Sequence, residues 1–171
     1  MMPVAILVDS QFGNTARLAE AVAEGFGPGV SVVAIDRPGA LEDTLEALET
    51  ESPDLLVVAG PTIRRRLSPR LGAMLDKVEV HVRGLAVATF DTRLRGPGLF
   101  MGSAAKDIGK RLRSAGAYLV LPPEDFYVER VASATDGSRP PGDVTLLPGE
   151  LDRARTWGSS LRDALAASKA A

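Results

Sequence analysis

The 171-residue sequence contains no cysteine and one histidine, His81. Without thiols the chain forms no disulfide, offers no thiolate ligands to zinc or iron–sulfur clusters, and has no cysteine nucleophile. A Ser-His-Asp triad would have His81 as its one available base. Aromatic residues make up only 5% of the chain, and no nucleic-acid motif or platform of stacking aromatic side chains is visible. We therefore expect no nucleic-acid partner.

Long hydrophobic runs are also missing. No apolar stretch reaches the roughly 20 residues needed to span a bilayer, and no basic segment followed by an apolar one marks a secretory signal. The remaining composition, 45% hydrophobic and 25% charged, is typical of a globular protein. At this length it predicts one domain over residues 1–171, in a cytoplasmic protein without membrane contact.

Charge is unevenly distributed along the chain. The net charge is −2, yet residues 1–60 carry two basic and ten acidic side chains, whereas residues 61–113 carry twelve basic and four acidic ones. A positive block of this size calls for a structural or functional explanation.

Apolar runs alternate with segments of helical periodicity. This alternation predicts a parallel sheet with helices on both faces, an α/β, doubly wound five-stranded sheet of order 2-1-3-4-5. Residues 78–83 alternate apolar and polar side chains, which predicts an extension leading into the fourth strand, and residues 130–147 are predicted to form an exposed loop. The predicted strands are residues 4–8, 30–35, 55–59, 85–90 and 118–121, and the last helix covers 147–165.

The segment after the first strand, residues 10–15, has the composition of a phosphate-binding loop. In doubly wound sheets ligands bind beyond the carboxyl ends of the strands. Ser10 and Thr15 supply hydroxyl groups, Gly13 permits a tight turn, and the free N–H groups of the following helix attract an anion. The alternative is that Gly13 is a turn residue and Asn14 or Thr15 a helix N-cap.

The same segment resembles the flavodoxin signature, an apolar strand followed by [ST]-x-x-G-N-T, in residues 4–15 with Ala19 after them. Ala59-Gly60-Pro61-Thr62 resembles the entry to the second flavin loop of that family. Residues 88–93, followed by Gly102-Ser103-Ala104, resemble the third flavin loop. Together these matches extend roughly over residues 3–121.

The resemblance implies a flavodoxin-like fold that binds FMN, with the first loop on the 5′-phosphate and loops 61–66 and 91–102 flanking the isoalloxazine ring. It implies neither a catalytic side chain nor a metal. The implied cofactor-binding residues are Ser10, Gln11, Phe12, Gly13, Asn14, Thr15, Pro61, Thr62, Ile63, Arg64, Phe90, Asp91, Thr92, Arg93 and Phe100.

Two departures from the family pattern bear on this expectation. Flavodoxins commonly hold the ring between aromatic side chains, but residues 61–70 contain none, which leaves Ile63 and Leu67 there and Phe90 and Phe100 in the third loop. Phe12 replaces a hydroxyl residue common in the phosphate loop. Both changes are expected to weaken FMN binding, since an aromatic pair contributes about 0.5–1.5 kcal/mol.

The implied function is electron transfer or a small flavin-dependent reductase activity, with a redox partner protein or NAD(P)H. The alternative is a binding or regulatory module that keeps the fold without FMN. The positive block is interpreted either as solvated surface or as a rim that attracts an acidic or anionic partner. Cations close to the flavin would make its reduction potential less negative. The block includes Arg64, Arg65, Arg66, Arg70, Arg93, Arg95, Lys106, Lys110, Arg111 and Arg113.

Overall fold

One mixed sheet organises the chain, shown by a computed structural model that describes residues 3–50, 52–95, 102–131 and 143–170. Within these ranges the strands are β1 (Val4–Val8), β2 (Val30–Ala34), β3 (Leu55–Pro61), β4 (Ala86–Leu94), β5 (Tyr118–Leu119), β6 (Glu124–Arg130) and β7 (Val144–Leu146). The helices are α1 (Asn14–Phe26), α2 (Ala40–Thr50), α3 (Pro69–Val78), α4 (Ala104–Ser114) and α5 (Glu150–Ala170), with a short 3-10 helix at Glu79–His81.

The first four sheet positions follow the predicted order. The sheet runs β2-β1-β3-β4-β6-β7, and the pairs among its first five strands are parallel. Val4 of β1 is in register with Val30 of β2 and Leu55 of β3. Residues 55–60 are all buried, as expected of a central strand covered on both faces. The predicted α/β, doubly wound class is confirmed.

The edge beside β4 differs from the predicted single fifth strand. Only Tyr118 and Leu119 form β5, which pairs with the beginning of β4. Pro122 and Pro123 then interrupt the ladder, because proline has no N–H to donate. The chain re-enters the sheet as β6, parallel to the carboxyl half of β4, and β7 pairs with β6 in the antiparallel direction. Part of the predicted loop 130–147 is therefore strand.

Three further boundaries were predicted wrongly. The third and fourth strands continue past residues 59 and 90, to Pro61 and Leu94, because β4 continues to pair with β3 and β6 there. Residues 79–81 form a 3-10 helix and not a strand. The reason is that Val78 and Val82, one helical turn apart, are both buried while Val80 is 73% exposed.

Helices cover the two faces of the sheet with separate cores. Helices α1 and α5 pack on one face, where Phe90, Phe126 and Trp157 meet edge to face with ring centroids 5.5–6.3 Å apart. Helices α2, α3 and α4 pack on the other face. Among the described residues, none of the helices combines the length and apolar composition that crossing a membrane requires.

Glycine allows α1 and α5 to approach each other closely. A Cβ atom on Gly158 would lie 2.2 Å from the carbonyl oxygen of Val22, and one on Gly25 would lie 1.9 Å from the carbonyl oxygen of Arg155. Both obstacles are backbone atoms, so a larger side chain would have to separate the two helices. The packing of this face therefore depends on the absence of side chains at these positions.

Gly158→Ala is accordingly expected to lower the free energy of unfolding by about 1–3 kcal/mol, the usual range for overpacking, in urea denaturation. Gly72→Ala is the matched control. Its Cβ would meet only the end of the Leu67 side chain, at 3.2 Å, and alanine favours a helix by up to about 1 kcal/mol. Equal losses for both variants would contradict the proposed role of the helix contact.

Candidate functional site

The segment after β1 leaves the N-terminus of α1 open. Gly13 takes the N-cap position with φ +84°, a left-handed conformation, and has no side chain with which to cap the helix. No atom lies within 4 Å of the position of a Cβ on Gly13. The first turn also carries no acidic residue. Free N–H groups with the positive end of the helix dipole form an anion-binding site.

The side chains of this segment are arranged differently from the expectation. The Asn14 side-chain amide donates to the Val144 carbonyl oxygen (2.8 Å), and the hydroxyls of Thr15 and Thr92 are 2.9 Å apart. These contacts join the start of α1 to β7 and β4, so neither residue acts as an N-cap. Ser10 Oγ accepts from the N–H of Ala16 (3.2 Å). The groups left to bind an anion are the backbone N–H groups and exposed Gln11.

A cleft of about 200 Å³ opens beside this segment. It brings together nine of the predicted site residues, contributed by the segments after β1 and β3 and by the end of β4. Leu94, Val128 and Val144 complete the wall. Sequence reasoning missed Val128 and Val144 because β6 and β7 were not predicted, and Leu94 because β4 was predicted to end at residue 90. The predicted residues in the wall are Gln11, Phe12, Asn14, Thr15, Pro61, Thr62, Ile63, Thr92 and Arg93.

The aromatic positions differ from the expected pair of ring-flanking side chains. Phe90 is fully buried on the α1–α5 face of the sheet, so its ring does not reach the cleft. Successive side chains of a strand point to opposite faces of the sheet. Phe90 therefore points away from the face on which its neighbour Asp91 lies. Phe100 lies outside the described residues. Within the described part of the chain, Phe12 is the aromatic side chain that lines the cleft, and it is 53% exposed.

The segment after β3 makes a tight turn with two arginines at its tip. The N–H of Ile63 donates to the Arg66 carbonyl oxygen (2.8 Å), and the N–H of Arg66 donates back (2.9 Å). Arg64 and Arg65 have φ of 47° and 71°, a left-handed conformation that usually favours glycine or asparagine. The backbone of Arg65 packs on Gly102, where a Cβ would lie 2.3 Å from the Arg65 carbonyl oxygen.

Asp91 lies behind the cleft and joins three segments. Its Oδ2 accepts from Thr62 Oγ1 (2.8 Å), Ser103 Oγ (2.9 Å) and the N–H of Ala105 (3.1 Å). Thr62 Oγ1 in turn accepts from the N–H of Ala104 (2.8 Å). Asp91 Oδ1 is buried without a hydrogen-bond partner among the described residues. Burial, opposed by these hydrogen bonds and assisted by the negative charge of Asp125, raises the pKa of Asp91 to about 6.

Ser103 connects Asp91 to a second carboxylate. Its Oγ lies 2.9 Å from Asp91 Oδ2 and 2.9 Å from Asp125 Oδ1. A hydroxyl has one proton, so it donates to only one of them at a time. Asp125 is balanced by Arg93, whose Nη2 lies 2.7 Å from its Oδ2. Within the described residues no cation pairs with Asp91 in this way, so protonation of Asp91 would resolve the competition for the Ser103 hydroxyl.

Several cations of the positive block are neutralised locally. Arg93 pairs with Asp125, and Arg111 pairs with both Asp76 and Glu79 at 2.7 Å. Arg70 binds the buried carboxylate of Asp9, which also accepts from the Ser68 hydroxyl. These arginines support the elements around the cleft. The expected anion-attracting rim therefore consists of the remaining, exposed cations and not of the whole block.

The raised pKa of Asp91 gives a pH-dependent contribution to stability. The folded state holds this proton more tightly than the unfolded chain, whose aspartates titrate near 3.9. The contribution is therefore fully present below about pH 4 and is lost as the pH rises to about 6. We expect the melting temperature of Asp91→Asn, relative to the wild type, to increase from pH 4 to pH 7. Asp163→Asn, on the exposed face of α5, is measured alongside as the control for removing a carboxylate. A flat difference for Asp91→Asn would contradict the assignment.

Comparisons with known proteins agree with this architecture. Among solved structures, rubredoxin oxygen:oxidoreductase from Desulfovibrio gigas superposes with a TM-score of 0.72 at 17% identity, covering 100% of this chain and 38% of that one. Flavodoxin 1 from Bacillus cereus gives 0.70 at 16% identity, covering 94% and 97%. A flavodiiron protein from Giardia intestinalis gives 0.68 at 18% identity, covering 98% and 37%. At these identities the likeness shows the fold alone.

This chain thus spans little more than a third of the two larger proteins and nearly the full length of the flavodoxin. A search of curated protein sequences finds no match. The sequence model of the flavodoxin family, by contrast, matches residues 6–157, a range that includes the open N-terminus of α1 and every described wall of the cleft. The chain belongs to the flavodoxin family.

Proposed function

We propose that this protein binds FMN in the cleft and carries electrons between redox partners, or passes them to a substrate as a small reductase. The observation that carries the proposal is the N-terminus of α1, where Gly13 at the N-cap supplies no capping side chain and the first turn holds no acidic residue. An exposed helix terminus with this geometry suits a phosphate, because N–H groups and the helix dipole both favour an anion there.

The residues of the cleft fit different parts of the cofactor. The N–H groups of the 10–15 segment would hold the 5′-phosphate, and the segments after β3 and β4 would flank the ring. FMN, when bound, supplies one- and two-electron transfer. The protein holds the ring-flanking segments rigidly, since the N–H of Thr62 donates to the Thr92 carbonyl oxygen (2.9 Å) and the Thr62 hydroxyl binds Asp91.

The alternative, a module of this fold without FMN, rests on the missing aromatic side chain in the 61–66 segment. That absence removes stacking energy of about 0.5–1.5 kcal/mol, whereas the helix terminus proposed to hold the phosphate is retained. The cleft of about 200 Å³ is smaller than ligand pockets of roughly 300–1,000 Å³. Segments 96–101 and 132–142, adjacent in sequence to its wall residues, lie outside the described residues.

Titration of the purified protein with FMN, followed by flavin absorbance and fluorescence, tests the proposal. Saturable binding supports it. Protein that is colourless as purified and stays unbound at high FMN concentration would favour the module. Mixing the loaded protein with NADPH in a stopped-flow instrument then separates a reductase, which bleaches the flavin, from an electron carrier, which does not.

Gln11→Glu provides a sharper test of the phosphate site. Gln11 is exposed and lines the cleft, and the change places a negative charge near the proposed phosphate while keeping the size of the side chain. Like charges repel, so we expect FMN affinity to fall by about tenfold or more, roughly 1.4 kcal/mol. Riboflavin, which lacks the phosphate, is the matched control ligand and should bind both proteins equally. Equal losses for FMN and riboflavin would contradict the assignment.

A further inference from the structure

Helix α4 presents a row of cations on its exposed side. Lys106, Lys110 and Arg113 are exposed and follow one another at i, i+4 and i+7, so they share a face over about 10 Å. The opposite face, which includes Ile108 and Leu112, is buried in the core. We call these three cations the basic ridge. None of them pairs with an acid within the described ranges, in contrast to Arg93 and Arg111.

A broad groove runs along one side of the basic ridge. It has a volume of about 930 Å³ and lies between α4 and the residues on either side of α3, which are the end of the 63–66 turn with Leu67 before that helix and the 3-10 helix with Arg83 after it. Arg66 and Arg83 add cations to its wall, and Glu79 and Asp107 are its acidic residues. The charge of Glu79 is already balanced by Arg111, so the groove is positive overall.

The groove also has an apolar component. Leu67, Val80 and Ala115 line it, and Val80 is 73% exposed, one of the few large hydrophobic side chains on the described surface. On the other side of the ridge, a second depression of about 440 Å³ includes Lys106, Lys110 and Arg113 in its wall. An apolar centre surrounded by charge is the usual composition of a protein interface.

The ridge begins at the candidate site. Its helix starts at Ala104, whose N–H is bound by Thr62, and Ser103 and Asp91 hold the N–H groups of Lys106 and Ala105. These contacts attach α4 rigidly to the segments that would flank the cofactor. They also occupy the N-terminus of α4, so the positive charge along the ridge is extended surface and not a closed anion pocket.

We propose that the basic ridge and the groove beside it form the docking surface for the acidic face of an electron-transfer protein. The inference deepens the proposed function, because it assigns the partner class to the same cleft. A row of carboxylates on the partner complements the ridge, and an apolar side chain of the partner covers Val80. Such complementarity acts mainly on the association rate, raising it by 10- to 1,000-fold, and weakens with salt.

The test reverses charge on the ridge and, as a control, on the opposite layer of the molecule. Lys110→Glu/Arg113→Glu changes the ridge. Arg162→Glu/Lys169→Glu makes the same change in net charge on the exposed face of α5. There Arg162 pairs with Asp163 and donates to the Phe26 carbonyl oxygen (3.3 Å), and Lys169 pairs with Asp54. An acidic plant-type [2Fe–2S] ferredoxin serves as the probe, and its association with the purified protein is measured by biolayer interferometry at 20 mM and 500 mM salt.

We expect the ridge variant to reduce the association rate constant at low salt by at least about tenfold and to flatten its salt dependence. The α5 variant should stay within about twofold of the wild type. Binding of the ferredoxin is measured without electron transfer, and FMN binding of each variant is measured in a separate titration. A failure to bind FMN would therefore overturn the proposed function, while the docking result would still decide the surface.

Three outcomes would overturn the docking proposal. Equal losses in the ridge and α5 variants would show that only net charge matters. Equally tight binding of a basic cytochrome c would remove the argument from charge complementarity. Displacement of the probe by millimolar NADPH, with loss of NADPH binding in the ridge variant, would assign the surface to a small anion.

Discussion

The buried carboxylate of Asp91 is the interaction on which the candidate site depends. It accepts hydrogen bonds from Thr62 after β3, from Ser103 and from the start of α4, and it stands at the end of β4 itself. A carboxylate in this position offers enough acceptor sites to hold three chain segments together. Its burial raises its pKa, so the same group that orders the ring-flanking segments also responds to pH. Site geometry and proton affinity are therefore linked in one residue.

The charge of the chain has a structural explanation that the net value of −2 conceals. Part of the positive block forms ion pairs within the protein. Arg70 pairs with Asp9, which precedes the 10–15 segment, and Arg93 pairs with Asp125. The rest remains exposed on the 63–66 turn and on α4. Local pairing thus separates cations that support the cleft from cations that face solvent beside it. An exposed cation next to a redox site affects the encounter with partners more than it affects stability.

The local pattern of the sequence was sufficient for much of the fold. The apolar run at residues 4–8, the stripe of Leu18, Val22 and Phe26, and the glycine-containing segment between them predicted β1, α1 and the open helix terminus. The edge of the sheet could not be obtained in the same way. Which of β5 and β6 pairs with each half of β4 is decided by contacts between residues that are far apart in the sequence. The orientation of Phe90 could not be obtained from the local pattern either. The strand was predicted to end at residue 90, and the pattern does not say on which face of the sheet its last side chain lies.

The sequence by itself determined the α/β class, the order of the first four strands and the position of the glycine turn at the start of α1. These features follow from short-range periodicity, glycine placement and the rule that parallel strands end at one edge. Only the tertiary structure decided that Asn14 and Thr15 turn inward, that Asp91 receives three hydrogen bonds, and that, within the described residues, Lys106, Lys110 and Arg113 form no ion pair whereas Arg111 does. The physical reason is that ion pairs and hydrogen bonds join residues up to 136 positions apart, and their partners are set by packing and not by local sequence.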